Sequence, residues 1–208
     1  MMPRDSRPDY SYQYYHIFNR GFDRKNIFTV EKDYLRFLEK LKESRTKFDW
    51  IIYSYCLLPN HYHLHIKTNN DSLSKIIHWL QTSHSVYFNK NHKHFSPVFT
   101  GRFKSIIIQK DPYHLQLSKY IHLNPVKAGL AVNPQDYEYS SYSEIINKPK
   151  HKYKIIDKRV LKSLIGEINS KSISNYRKFV EEIENIEYNP QQQVRGIIGT
   201  IRFRSRFE

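Results

Sequence analysis

The chain has 208 residues, 39% of them hydrophobic and 26% charged, the balance of a globular protein and not of a disordered one. No apolar run approaches the roughly 20 residues that a membrane span needs, and the polar, tyrosine-rich start from Met1 to Tyr15 lacks the apolar segment of a secretory signal. Thirty-four Lys and Arg against 20 Asp and Glu leave a net charge of +14, alongside 17 Tyr and 12 Phe; this is the footprint of a polyanion binder on whose rings bases can stack.

No basic amphipathic helix of the interfacial kind is visible, so nucleic acid is favoured over a membrane surface. The single cysteine, Cys56, lies in an apolar strand-like run and has no partner for an internal disulfide. A reducing, cytoplasmic setting follows as the expectation. The length accommodates one sizeable domain and an appendage, at roughly 150 residues per domain.

In chain order, Tyr12 to Arg20 alternates as a strand, with Tyr15, Ile17 and Asn19 opposite Tyr14, His16 and Phe18, and Gly21 ends it. Glu31 to Arg45 has Tyr34, Leu35, Phe37, Leu38 and Leu41 at helical spacing. Trp50 to Leu58 predicts a strand, Pro59-Asn60 a turn, and His61 to Ile66 the returning strand of a hairpin. A second helix begins near Asp71 or Ser72, with Leu73, Ile76, Ile77, Leu80, Tyr87 and Phe88 on its buried stripe. Within it, His78 and His84 read as surface or satisfied residues. Arg102 to Gln109 alternates as a fourth strand. Asp111-Pro112 predicts the start of a third helix, and Pro125 its end at about Asn124.

This order is β-α-β-β-α-β plus one helix, an α+β, ferredoxin-like (RRM-like) antiparallel sheet with helices on one face and the other face free. Residues 1–145 form that domain. Residues 146–208 form a basic, mainly helical extension, with helices expected over Asp157 to Ile165 and Ser174 to Ile186. Glu181, Glu182, Glu184 and Glu187 make the second of these acidic, and Arg202, Arg204 and Arg206 share a side if the end is extended.

The chemistry centres on Pro59-Asn60-His61-Tyr62-His63-Leu64-His65-Ile66. Alternation sends Tyr62, Leu64 and Ile66 to one face and His61, His63 and His65 to the other, where neighbouring imidazoles are close enough to share a cation. A metal or phosphate site and a row of exposed polar residues both fit that pattern. His65 fits a third ligand, favouring zinc-like coordination, or a DNA contact equally well. Tyr120 and Asn124 lie one helical turn apart. The amide oxygen of Asn124 is a third ligand candidate, and the Tyr120 phenol a candidate nucleophile. Each also has an ordinary reading, packing for one tyrosine of 17 and a helix end before proline for Asn124.

The stretch Tyr55-Cys56-Leu57-Leu58-Pro59-Asn60-His61-Tyr62-His63-Leu64 resembles the HUH signature of single-tyrosine transposases. Tyr120-Ile121-His122-Leu123-Asn124-Pro125-Val126-Lys127-Ala128-Gly129-Leu130 resembles the tyrosine motif of the REP-associated tyrosine transposase (RAYT) branch. Tyr15 to Gly21, Phe99 to Lys104 and Tyr137 to Tyr142 resemble further blocks of the family, in order over about residues 10–145. The resemblance implies a metal-dependent endonuclease and strand transferase that cuts single-stranded DNA near hairpins through a 5′-phosphotyrosine. It implies His61, His63 and Asn124 as ligands of Mg²⁺ or Mn²⁺, Tyr120 as nucleophile, and no nucleotide cofactor. His65 departs from the family pattern, which more often has an apolar residue there. Arg102, Lys104 and Arg20 are candidate phosphate contacts. The protein is expected to act as a monomer or homodimer in the cytoplasm, on the nucleoid. The contrasting reading is a non-catalytic, RRM-like binder of nucleic-acid hairpins.

Overall fold

The computed structural model describes residues 9–156, 158–182, 188–193 and 196–207. Five strands form one sheet in the order β2-β3-β1-β4-β5: β1 Tyr14–Arg20, β2 Trp50–Leu58, β3 His61–Thr68, β4 Lys104–Ile108 and β5 Ile197–Ile198. The first four pair antiparallel, and β5 joins the edge parallel to β4. The β-α-β-β-α-β unit is therefore present, with α1 Glu31–Lys47 and α2 Leu73–His92 as its helices.

Side-chain alternation divides the sheet into two faces. Tyr15 and Ile17 of β1, Tyr62, Leu64 and Ile66 of β3, and Ile107 of β4 are buried together with Tyr34, Phe37, Leu38 and Leu41 of α1 and Leu73, Ile76, Ile77 and Leu80 of α2. The register of β2 shifts between Ile52 and Ser54. This bulge at Tyr53 lets Ile52 share the main core with Tyr55 and Leu57, although strict alternation would part them. Ser72 caps α2 by accepting from the Lys75 amide, one of the two caps the sequence offers. His84 lies on the buried stripe of α2, its Nε2 hydrogen-bonded to the Ile27 carbonyl at 2.7 Å, whereas Tyr87 is only half-buried.

The opposite face is not free. Helix α3, Lys110–Lys127, crosses it and buries Leu117 and Ile121 against Cys56, Leu58, Ile106 and Ile108. The reason is compositional: this face of β2 and β4 is apolar beside the histidines, and the stripe of Leu117 and Ile121 on α3 covers it. Pro125 does not end α3, which runs three residues further than the proline rule suggests. So close to the C-terminus, a proline removes one intrahelical hydrogen bond and leaves little helix to kink. The Ala128 amide donates to the Asn124 carbonyl, and Gly129 then leaves the helix at φ +68°.

The region beyond Tyr142 packs on the same body. Short helix α4, Tyr142–Ile145, and α5, Lys158–Ile165, place Tyr142, Ile145, Val160 and Leu164 in the main core. Helix α6 spans Ser170–Glu181, starting a turn earlier than expected because Asn169 caps it. It ends at Glu181, short of the expected Ile186, with Glu182 already off the helix at ψ 86°; Glu184 and Glu187 lie outside the described residues. Glu181 bonds Tyr142 and Arg177. The last arginines are not aligned on an extended strand, since Ile201–Arg204 forms helix α7 with Thr200 as its cap.

Candidate active site

The hairpin turn Pro59-Asn60 is anchored from both sides. The Gly21 amide donates to the Asn60 carbonyl at 2.7 Å, and the Ile27 and Phe28 amides donate to the Pro59 carbonyl. Glycine is required at 21 because a Cβ there would stand 1.9 Å from the Lys25 carbonyl oxygen. The loop before β4 is tied to the same corner: the Thr100 amide donates to the Arg20 carbonyl and Thr100 Oγ1 to the Gly21 carbonyl. These bonds gather the ends of β1, β3 and β4 beneath α3.

A cleft of about 640 Å³ opens there, lined by residues that include His61, His63, Tyr120, Asn124, Arg20, Arg102 and Lys104. The candidate nucleophile, the two candidate ligand histidines His61 and His63, Asn124 and the three candidate phosphate contacts thus face one space. Phe18, Asn19, Arg24, Asn60 and Thr100 complete its wall. Phe18 alternates onto the histidine face of β1, opposite His63. The four cationic side chains are exposed, and Arg24 is held at φ +58° in the turn after β1.

His61 and His63 stand with ring centroids 5.1 Å apart. On each, Nδ1 already has a partner: Asn60 Oδ1 at 2.6 Å for His61, and His16 Nε2 at 2.8 Å for His63. That leaves Nε2 of both rings uncommitted, the arrangement of a ligating histidine oriented through its other nitrogen. Burial holds both imidazoles below their ordinary pKa, with Arg20 adding to the effect at His61 and His16 and His61 adding to it at His63. Both rings are thereby held neutral, and on His61, whose Nδ1–H donates to Asn60 Oδ1, the lone pair lies on Nε2. Asn124 Nδ2 donates to the Tyr120 carbonyl at 2.8 Å, which leaves its Oδ1 unengaged. Two imidazole nitrogens and an amide oxygen fit a divalent cation. Among the described residues, no three His, Cys, Asp or Glu side chains form such a group.

The Tyr120 ring sits among aromatic edges: His16 and His63 at 5.8 Å, Tyr188 at 5.3 Å, and Lys127 Nζ at 5.2 Å from its centroid. Burial raises its phenol pKa, and the Asn124 amide opposes that. The nucleophile candidate and the histidine pair belong to one chain and one cleft.

His65 is not in the cleft. It is fully buried under α3, its Nδ1 3.1 Å from Ser118 Oγ and its ring stacked on Tyr53. Neither a DNA contact nor a place beside His61 and His63 is open to it, because the helix covers that end of the strand. His16 and Tyr188 were not foreseen. Alternation placed His16 on the right face, but nothing in the sequence brings Tyr188 to it.

Residues 9–124 match the family described as Transposase IS200 like. The chain belongs to the IS200-like transposase family. It is accordingly an enzyme of the tyrosine transposase class. This transposase is 29% identical over 122 residues to a Haemophilus influenzae protein named as a REP-associated tyrosine transposase, covering 53% of this chain and 69% of that one. Its fold is similar, at a TM-score of 0.59 and 15% identity, to the solved structure of a REP-associated tyrosine transposase bound to a REP hairpin, over 75% of this chain and 94% of the other. The resemblance of its motifs to that branch is thereby borne out. No helix among the described residues of the transposase is long and apolar enough to cross a membrane.

Proposed function

We propose that this transposase cuts and rejoins single-stranded DNA beside a hairpin, with Tyr120 as nucleophile and His61, His63 and Asn124 holding Mg²⁺ or Mn²⁺. The observation that carries the reading is the convergence of these four side chains on one cleft edged by Arg20, Arg24, Arg102 and Lys104. The hairpin is proposed because the protein whose fold it shares is one bound to a REP hairpin. The setting proposed is the cytoplasm, on nucleoid DNA, with no nucleotide cofactor.

Arg102, Lys104 and Arg20 draw the backbone of a single strand into the cleft, and Phe18 offers a ring on which a base can stack. Tyr120, fixed by its aromatic neighbours, gives up its proton and attacks phosphorus. The Oη–P bond forms as the P–O3′ bond breaks, and the 3′ oxygen departs as a hydroxyl. The product is a 5′-phosphotyrosine, which conserves the bond energy, so that a second 3′-hydroxyl can reverse the exchange without ATP. His61, His63 and Asn124 would hold a divalent cation, which when bound would neutralise phosphate charge and help orient phosphorus for in-line attack.

The test mixes full-length protein with 5′- and 3′-labelled hairpin DNA and Mn²⁺ on a denaturing gel. The downstream label migrates with protein, and the adduct disappears with EDTA and in Tyr120→Phe while hairpin affinity stays within about twofold. Cleavage that survives Tyr120→Phe points to water as nucleophile. Binding with no adduct across flanking hairpins points to a binding module.

A further inference from the structure

His16, on the middle strand of the sheet, is fully buried and lies in a chain of two hydrogen bonds: Tyr188 Oη to His16 Nδ1 at 2.8 Å, and His16 Nε2 to His63 Nδ1 at 2.8 Å. The His16 and His63 rings are stacked, 5.1 Å apart. Tyr188 is itself buried, and packs edge-on against both His16 and Tyr120. It comes from beyond residues 9–124, the part matched to the family.

For two neutral imidazoles this chain has two proton arrangements. In one, His63 Nδ1–H donates to His16 Nε2 and His16 Nδ1–H donates to Tyr188 Oη, which leaves a lone pair on His63 Nε2. In the other, Tyr188 donates to His16 Nδ1 and His16 Nε2–H donates to His63 Nδ1, which puts a hydrogen on His63 Nε2 and closes it to a cation. Only the first makes His63 a ligand.

We propose that His16 and Tyr188 are positioning residues that fix the ring and tautomer of His63, so that the C-terminal segment is a working part of the cation site. This inference rests on the assignment of His61 and His63 as ligands. Without the Tyr188 hydroxyl, the buried His16 Nδ1–H has no acceptor. The arrangement that ligates then loses its support, whereas the other leaves only a lone pair unmatched.

Calorimetric titration of the metal-free, full-length protein with Mn²⁺, together with imidazole ¹⁵N spectra that report tautomers, provides the test. Tyr188→Phe removes one oxygen, and is expected to weaken Mn²⁺ binding about tenfold or more and to change the His63 tautomer population. His16→Gln, whose Oε1 can accept from His63 Nδ1–H, retains more affinity than His16→Phe, which offers no acceptor. Binding within about twofold of wild type in Tyr188→Phe with an unchanged His63 tautomer overturns the proposal. Equal losses in the two His16 variants also overturn it, since packing alone would explain them. His61→Ala separates the two readings: if wild type binds no Mn²⁺, or His61→Ala binds as wild type does, the ligand assignment falls and this inference with it.

Discussion

The side chain of Asn124 reaches back one helical turn to the Tyr120 carbonyl, its Nδ2 donating at 2.8 Å. One amide therefore ties the backbone of the candidate nucleophile to the oxygen proposed as a cation ligand. Asn124→Ala removes both roles. The lost hydrogen bond costs about 1 kcal/mol, a fall of about 2–4 °C in Tm for a chain of this size. Adduct formation is expected to fall by much more, about a hundredfold. Asn124→Asp restores an oxygen ligand but not the donor, so raised Mn²⁺ recovers its cleavage and not its Tm. Thermal melts paired with adduct gels at rising Mn²⁺ check both halves.

The corner that builds the cleft depends on Gly21. Gly21→Ala drives a Cβ into the Lys25 carbonyl, 1.9 Å away, and backbone has no rotamer by which to yield. The expected destabilisation is about 1–3 kcal/mol. The shift falls on the end of β1, which carries Arg20, so hairpin affinity should decline with Tm. A variant with wild-type Tm and affinity would show that the turn relaxes freely.

The cations at the rim should be visible in salt dependence. Each phosphate contact to a single strand contributes about 0.7 to the slope of log affinity against log salt. Arg102→Ala with Lys104→Ala is thus expected to flatten that slope by about 1.4, and to weaken hairpins of different sequence alike. Filter binding across a range of salt measures it. An unchanged slope would remove both residues from the DNA path.

Much of this was legible because alternation is strict in β1 and β3: it put His61 and His63 on one face and Tyr62 and Leu64 on the other, and the structure keeps that division. Helical spacing likewise joined Tyr120 to Asn124. The path of α3 across the histidine face was not legible, because periodicity defines a helix's apolar stripe without saying which sheet face it covers. That one placement decides that His65 is buried while His61 is half-buried. Tyr188 was out of reach for a different reason: it meets His16 across 172 positions of chain, and no local pattern encodes such a contact.

Burial of imidazoles makes the fold acid-labile. Burial holds His16 and His122 down at about 3 and His84 at about 4, against an ordinary value of 6.5. As pH falls below the ordinary value, the unfolded chain takes up protons at these positions and the folded chain does not. Stability is therefore full above about pH 6.5 and declines toward pH 4, by up to about 1.4 kcal/mol per pH unit for each ring. Circular dichroism should place the acid midpoint above the carboxylate range. His84→Gln, whose amide can still donate to the Ile27 carbonyl, is expected to move that midpoint to lower pH. No movement would assign the acid lability to other groups.

The Tyr120 ring lies 5.8 Å from that of His63 in the same chain, so a single copy holds both nucleophile and ligand candidates. A site shared between copies would behave differently on mixing. Tyr120→Phe supplies intact histidines and His63→Ala an intact tyrosine, and in a shared arrangement half of the mixed sites would be complete. With both groups supplied by one chain, neither variant can complete the other. The mixture is therefore expected to form no adduct beyond the sum of its parts, at any protein concentration. Adduct appearing on mixing, and rising with the concentration of the second variant, would show that Tyr120 works across a dimer.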